Sequence, residues 1–472
     1  MQITSKTAVE IRSGLRAGDW SCVEVVQAHL DQIACANPTI NAFVTLCPDA
    51  ALAQALALDA APRDTWGPLA GLPVGIKDVT ETQGLRTTFG SRLLADNVPD
   101  HDAAIVQRLR GAGAIVIGKT NTPEFAAGAN TRNELFGATV NPWDTTRTVG
   151  GSTGGGAAAL AAHMVPLAEG TDFGGSLRTP ASFCGLVGLR PTAGLIASAP
   201  VAQPWDMGRV NGPMARTATD VALMLGALTG VEDASAISTP PDWPMAPGAL
   251  PDWVAQFDAH GLRVGYTPDL AGRGIDTGVA QVCAAGLAQA AAVTGVDVAT
   301  TDLSLADSND AYLRLRGLWM VCNYHDTLGR LDDLNPALRG NIEAGLKITA
   351  LQIAQARAQQ KVAWQRMMEA LQTCDVIATP TVPVPPFPVT VNHPTAINGR
   401  PLNSYVDWLA QTYLVTLTGL PALSVPIGVD ADGLPVGLQL ISKRFSEPLL
   451  LGLAQCIQRA VPLPLPPTRF GA

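Results

Sequence analysis

At 472 residues, 47% of them hydrophobic and 15% charged, the chain carries enough apolar material for a sizeable core and does not have the composition of a disordered protein. A net charge of −9 and a pI near 5.2 argue against nucleic acid as a main partner, because phosphate binding needs a basic face. The eight cysteines show no CxxC or metal-ligand spacing, so they read as reduced thiols of a cytoplasmic protein, with no metal or cofactor implied.

The opening MQITSKTAVEIRSG lacks the apolar run of a signal peptide, and no uninterrupted apolar stretch reaches the ~18 residues of a membrane span. Hydrophobic periodicity predicts helices over 1–60, with a capping box from Ser21 to Glu24 and Val23, Val26, Leu30 and Ile33 as an inner face. A loop and strand follow at 67–77, a helix at 102–109, an apolar strand at 114–118, and small-residue helices at 156–164 and 220–229, the last stopped by Gly230. This alternation predicts an α/β protein with a largely buried sheet. Pro240, Pro241, Pro244, Pro247 and Pro251 mark 231–261 as an exposed excursion rather than a domain boundary. A strand at 262–266, an alanine-rich helix opened by Asp276, one helix over 342–371 and a strand at 375–379 come next. The run TPTVPVPPFPV from Thr379 is too rich in proline to pair inside a sheet and reads as a loop over the surface or a pocket rim. Strands at 423–427 and 436–441 finish the sheet.

Chemistry concentrates at 150–178, where Ser152 and Ser176, 24 residues apart, each follow two glycines. Paired glycines let the backbone turn tightly and let main-chain N–H groups converge, as an oxyanion hole beside a nucleophile requires. A serine hydroxyl needs a base to take its proton. The six histidines are scattered, and His163 sits in an alanine-rich helix without an acidic partner in sequence. Lys77, closing the apolar strand of GLPVGIKD, is the better candidate, because desolvation disfavours the ammonium and a neutral amine is a competent base.

The motifs GLPVGIKD, GGSTGGGAAA and GTDFGGSLRTPASFCGLVGLRPT resemble those of the amidase signature family of serine hydrolases. The resemblance extends through HDAAIVQRLRGAGAIVIGKTNTPEF, NGPMARTATDVALML and GLPVGLQLISKRFSE, so it spans nearly the whole chain. It implies a single α/β domain over 1–472 with a mixed β-sheet core covered by helices on both faces. Within it lie a helical region at 1–60, the catalytic core at 70–230, the excursion at 231–261, and the remaining sheet and pocket-covering helices at 262–472. It further implies Lys77, Ser152 (held through a cis peptide) and Ser176 as the catalytic set, with Ser176 the nucleophile. Backbone N–H groups of Phe173, Gly174, Gly175 and Ser176 would form the oxyanion hole. Thr171 and Thr153 would bond the lysine amine or the relay serine, and Asp172 and Arg178 would pair to brace the nucleophile loop. Thr153 stands where the family commonly has a second serine, Gly156 where it has a small polar residue, and Thr179 where an aliphatic residue is frequent. None of these changes removes a catalytic atom.

The expected reaction is cleavage of a C–N bond in a small carboxamide through an acyl-enzyme, with no nucleic-acid or membrane partner and with monomer and homodimer both open. Aromatic residues on loops, Phe125, Trp143, Trp205, Trp319, Tyr324, Trp408 and Tyr413, are candidate pocket walls and point to an apolar or aromatic substrate; Arg132 and Asn133 could meet a polar end. Esters and carbamates remain open to the same machinery, as does the role of amidase subunit in a tRNA-dependent amidotransferase. A nucleophile elbow at Ser152 is disfavoured because residues 143–149 are polar and no downstream acid and histidine pair stands out.

Overall fold

The computed structural model describes residues 3–243, 248–464 and 466. An 11-stranded sheet runs through it, and helices cover both faces. In chain order its strands are β1 (Phe43–Leu46), β2 (Pro73–Lys77), β3 (Ile115–Thr120), β4 (Leu167–Asp172), β5 (Val187–Arg190), β6 (Val210–Ala215), β7 (Arg263–Tyr266), β8 (Asp297–Thr300), β9 (Val376–Pro380), β10 (Ala422–Val429) and β11 (Pro435–Ile441). The spatial order is β1-β3-β2-β4-β6-β5-β10-β11-β9-β7-β8. β2 runs parallel to both β3 and β4, and β7 parallel to β8 and β9, while the other pairs are antiparallel, so the sheet is mixed. Every residue of β2, β3, β4 and β6 is buried, as expected for strands covered on both faces.

Long-range pairing corrects several expectations. The C-terminal hairpin β10–β11 does not finish the sheet but sits inside it, joining β5 to β9. Residues 1–60 hold more than helices, because Phe43–Leu46 adds an edge strand against β3. The capping box at Ser21 is present, but the helix Cys22–Ile40 buries Val25, Val26, His29 and Ile33, with Val23 and Leu30 only partly covered. The next shift is at Asp220. The helix Ala218–Leu228 is capped by Thr217, which frees the buried Asp220 carboxylate to accept the Val9 N–H at 2.9 Å. The single helix expected over 342–371 is two, Pro336–Leu346 and Ala350–Thr373, because Thr349 and Gln352 form a capping box that restarts the chain. The proline-rich run after Thr379 is mostly buried, with Val382, Val384 and Phe387 packed around Phe183 and Trp408. Of the excursion, Pro244 and Pro247 lie outside the described residues; Ser235 and Ile237 reach the main cavity. The helix Thr277–Thr294 has the length and apolarity of a membrane span, and its Val279, Cys283 and Leu287 are buried where it meets β9, β10 and β11.

The helix Gly154–Ala161 shows why its glycines matter. A Cβ at Gly155 would lie 2.3 Å from the Asn121 backbone nitrogen, so the helix seats directly on backbone there. A Cβ at the exposed Gly226, inside the helix Ala218–Leu228, would meet nothing within 4 Å. Gly155→Ala is therefore expected to destabilise by about 1–3 kcal/mol or more through overpacking. Gly226→Ala should stabilise by about 1 kcal/mol through helix propensity. Denaturant unfolding of the two variants checks the pair of signs.

Candidate active site

Lys77 ends β2 with no exposed surface. Its Nζ lies 2.7 Å from Ser152 Oγ, 3.0 Å from Thr153 Oγ1 and 2.9 Å from Thr171 Oγ1. Three hydroxyls, and no carboxylate, occupy the amine's hydrogen-bonding positions. Burial, which penalises the ammonium, pulls its pKa from 10.5 down to about 7; Glu169 and Asp172 oppose that shift and Arg209 assists it. Thr153 gives its own hydrogen to the Thr171 carbonyl at 3.3 Å, so it can only accept from the lysine. In a neutral amine with two hydrogens and one lone pair, the lone pair is then left for Ser152 or Thr171.

Behind the amine sits a second set of buried charges that the motifs do not reveal. Glu169, on β4, accepts the Lys77 backbone N–H at 3.2 Å and the Thr80 hydroxyl at 3.0 Å, and burial raises its pKa. Lys119, on β3, is also fully buried; it holds the Thr80 carbonyl and lies 2.8 Å from Thr82 Oγ1, and burial lowers its pKa to about 8. Ionisable residues at the ends of wholly apolar strands were the available signal, as for Lys77 itself.

The two glycine-serine segments meet here. The Gly151–Ser152 peptide is cis, and the Thr153 N–H donates to the Ser176 carbonyl at 3.2 Å. Gly175 has φ +114°, and a Cβ there would lie 2.2 Å from Thr412 Oγ1, so both conformation and space demand glycine. A Cβ at Gly174 would come 2.8 Å from the Tyr312 hydroxyl oxygen. Asp172 shapes the turn: its carboxylate accepts Gly175 N–H at 3.0 Å and Leu177 N–H at 3.2 Å. Gly175, one of four amides expected to face an oxyanion, thus has its N–H directed at Asp172 instead.

Asp172 and Arg178 form a bidentate pair at 2.8 and 3.0 Å with both side chains buried. Arg190, which no motif singled out, adds a contact at 3.5 Å and bonds the Asp172 carbonyl at 2.9 Å. Burial alone would raise the Asp172 carboxyl, but Arg178 and Arg190 hold it well below the usual carboxylate range. Arg178 also reaches Gln439 on β11 at 2.6 Å and the Thr412 carbonyl at 2.9 Å, tying the turn to the far half of the sheet.

Ser152, Thr171, Phe173, Gly174 and Ser176 open on one cavity of about 670 Å³. Phe125, Trp319, Tyr324 and Tyr413 line it, as do Tyr312 and Tyr405, which were not among the expected walls. Trp319 stacks on Phe173 with centroids 4.5 Å apart, and the Tyr324 ring meets Phe125 edge-on at 5.3 Å. Other expected wall residues lie elsewhere. Trp143 is buried beside a separate cavity, its indole N–H on the Cys184 carbonyl at 3.0 Å. Trp205 is 77% exposed and borders a neighbouring cavity rather than this one, because its side chain turns outward from a surface loop. Trp408 is fully buried against Phe183. Arg132 is exposed, and Asn133 bonds Asn121 and the Thr122 carbonyl; neither lines the cavity. None of the six histidines lines it either. Among the described residues, no three His, Cys, Asp or Glu side chains gather as a metal site.

A family model described as Amidase matches residues 24–451. A glutamyl-tRNA(Gln) amidotransferase subunit from Alkaliphilus metalliredigens (strain QYMF) is 35% identical over 498 residues, covering 97% of each chain. The crystal structure of a bacterial aryl acylamidase of the amidase signature family superposes with a TM-score of 0.89 at 26% identity, covering 97% of this chain and 96% of that one. The structure of 6-aminohexanoate cyclic dimer hydrolase with substrate gives 0.87 at 27% identity, covering 99% and 100%.

The surroundings of Lys77 make a specific demand on pH. The groups that act on it are Glu169 and Asp172 from β4 and Arg209 beside β6. A depressed lysine pKa leaves the amine protonated, and unable to accept a proton, below about 7. Any turnover that uses this amine as base should rise with pH through an apparent pKa near 7. A kcat/KM profile checks this, and Thr171→Val, which removes one acceptor for the ammonium but not the burial, should not move the rising limb upward.

Proposed function

Since the chain belongs to the amidase signature family, we propose that it is a serine amidohydrolase acting on a small carboxamide. The observation that carries this reading is the dry Lys77 amine 2.7 Å from Ser152 Oγ, with Ser176 on the same cavity. In this reading Ser176 Oγ attacks the carbonyl carbon and gives its proton to Ser152 Oγ, whose own proton passes to Lys77 Nζ. The carbonyl π electrons move onto oxygen, which faces the backbone amides of Phe173, Gly174 and Ser176, since the Gly175 N–H is engaged by Asp172. Collapse of the tetrahedral adduct breaks the C–N bond as the stored proton returns through Ser152 to the departing nitrogen. Water, deprotonated by the same relay, then clears the acyl group from Ser176. The aromatic walls suit an apolar or aromatic group next to the amide. The eight cysteines are all free thiols, in keeping with work in a reducing compartment such as the cytoplasm.

A second reading has one specific support. The relative at 35% identity is a glutamyl-tRNA(Gln) amidotransferase subunit, whereas the two solved hydrolases align with this chain at lower identity but superpose closely. Fold similarity follows the backbone around the cavity, and on that ground the free-standing hydrolase is preferred. Glutamine hydrolysis only in the presence of added partner proteins would favour the second reading. Cleavage of carbamates or esters by the same groups is a question of substrate range, settled by one panel of aryl amides, aliphatic amides, peptide amides and carbamates.

Ser176→Ala is expected to lower kcat on the best substrate of that panel by a factor on the order of 10⁶, the loss typical of a missing serine nucleophile. A sulfonyl fluoride should label Ser176, read by peptide mass spectrometry. Retention of parent-like rates in Ser176→Ala, or a label confined to Ser152, would refute the assignment.

A further inference from the structure

The charged side chains on the cavity wall are, with one exception, already committed. Asp206 accepts the Trp319 indole N–H at 2.8 Å and the backbone N–H groups of Gly208 and Arg209 at 2.9 and 3.1 Å. Glu81 lies 3.2 Å from His101, and Asp326 lies 3.0 Å from His325. Arg316 bonds Asn341 and, at 2.8 Å, the Tyr405 hydroxyl, with its guanidinium over the Tyr405 ring. Arg209 differs. Among the described residues its guanidinium has neither a hydrogen-bond nor an ion-pair partner, although it is half-buried on the wall that carries Ser152 and Ser176.

Its position follows from the sheet. Val210 stands opposite Asp172 in the β6–β4 ladder, so Arg209 sits one residue past that register, beside the turn that presents Ser176. Glu169, Asp206 and Glu81 act on it only from beyond ion-pair distance, and burial lowers its pKa. A guanidinium does not deprotonate in a working protein, so this is a standing positive charge, partly withdrawn from water, with no protein anion in contact. The residue type is also specific, because the planar fork of arginine fits a carboxylate through two parallel N–H···O bonds. One guanidinium among three wall carboxylates suits a monoanion and would tolerate a dianion such as phosphate poorly.

We infer that Arg209 anchors an anionic group of the substrate, so that the preferred substrates are small amides bearing a carboxylate near the scissile carbonyl. This rests on the hydrolase reading and names its substrate class. The carboxylate can belong to the acyl half or to the amine half of the amide, and the aromatic walls would take the apolar remainder.

Calorimetric titration of Ser176→Ala, which consumes nothing, tests the anchor without turnover. N-phenylsuccinamate against N-phenylbutyramide places a carboxylate on the acyl side; N-benzoylglycine against N-methylbenzamide places it on the amine side. At least one carboxylated probe should bind about 10- to 100-fold more tightly than its neutral partner, the range for a hydrogen bond to a charged group. Adding Arg209→Gln should abolish that difference while leaving the neutral probes within about twofold, and Arg209→Lys should restore part of it. Equal binding of charged and neutral probes, binding of none of them, or a loss in Arg209→Gln shared by both kinds would overturn the inference. Sulfonyl fluoride labelling separates the two failures: a labelled Ser176 without carboxylate preference sinks only the anchor, and an unlabelled Ser176 with that preference sinks only the hydrolase reading.

Discussion

The site depends on one constraint: a lysine amine is held out of water with hydroxyls, not a carboxylate, in contact. A shift from 10.5 to about 7 corresponds to a differential on the order of 5 kcal/mol against the ammonium form. Had Glu169 touched Nζ, Coulomb attraction would have restored the charge and left no lone pair to accept a proton. Glu169 is instead turned to the Lys77 backbone N–H and the Thr80 hydroxyl. The fully buried strand β2 sets this arrangement, because it delivers Lys77 to the middle of the protein where only β3 and β4 flank it.

A few residues away the opposite solution applies. Asp172 is equally buried but fully charged, because Arg178, Arg190 and two backbone amides satisfy it. Removing one partner from such a pair would leave an uncompensated buried charge and cost about 3–5 kcal/mol. The pair also has a structural product: Arg178 extends through Thr412 and Gln439, so the turn bearing Ser176 is fixed to strands distant in sequence. One half of the site keeps a base neutral, and the other holds the nucleophile turn rigid by keeping its ions paired.

Much of this was legible in the residues. A lysine closing an apolar strand, and glycine pairs before two serines, are local signals whose meaning does not depend on distant chain. The resemblance supplied the roles, and the structure supplies the reasons for Gly174 and Gly175 in the space next to Tyr312 and Thr412. Strand order was not legible, since nothing local in 423–441 says that this hairpin lies between β5 and β9. The break at Thr349 was present as a capping box but was overridden by continuing helical periodicity. Pocket walls were the weakest reading: Trp319 and Trp205 both look like loop-borne aromatics in sequence, yet one stacks on Phe173 and the other faces water. Arg209 carried no signal at all, because an isolated cation in a polar loop acquires meaning only when its neighbours prove to be engaged elsewhere.

The most direct measurement is an NMR titration of the Lys77 side chain in protein carrying isotope-labelled lysine, assigned by difference from Lys77→Met. The account predicts loss of the ammonium proton with a midpoint near 7. A Lys77 signal that stays that of an ammonium up to about pH 10, the range of an ordinary lysine, would contradict it.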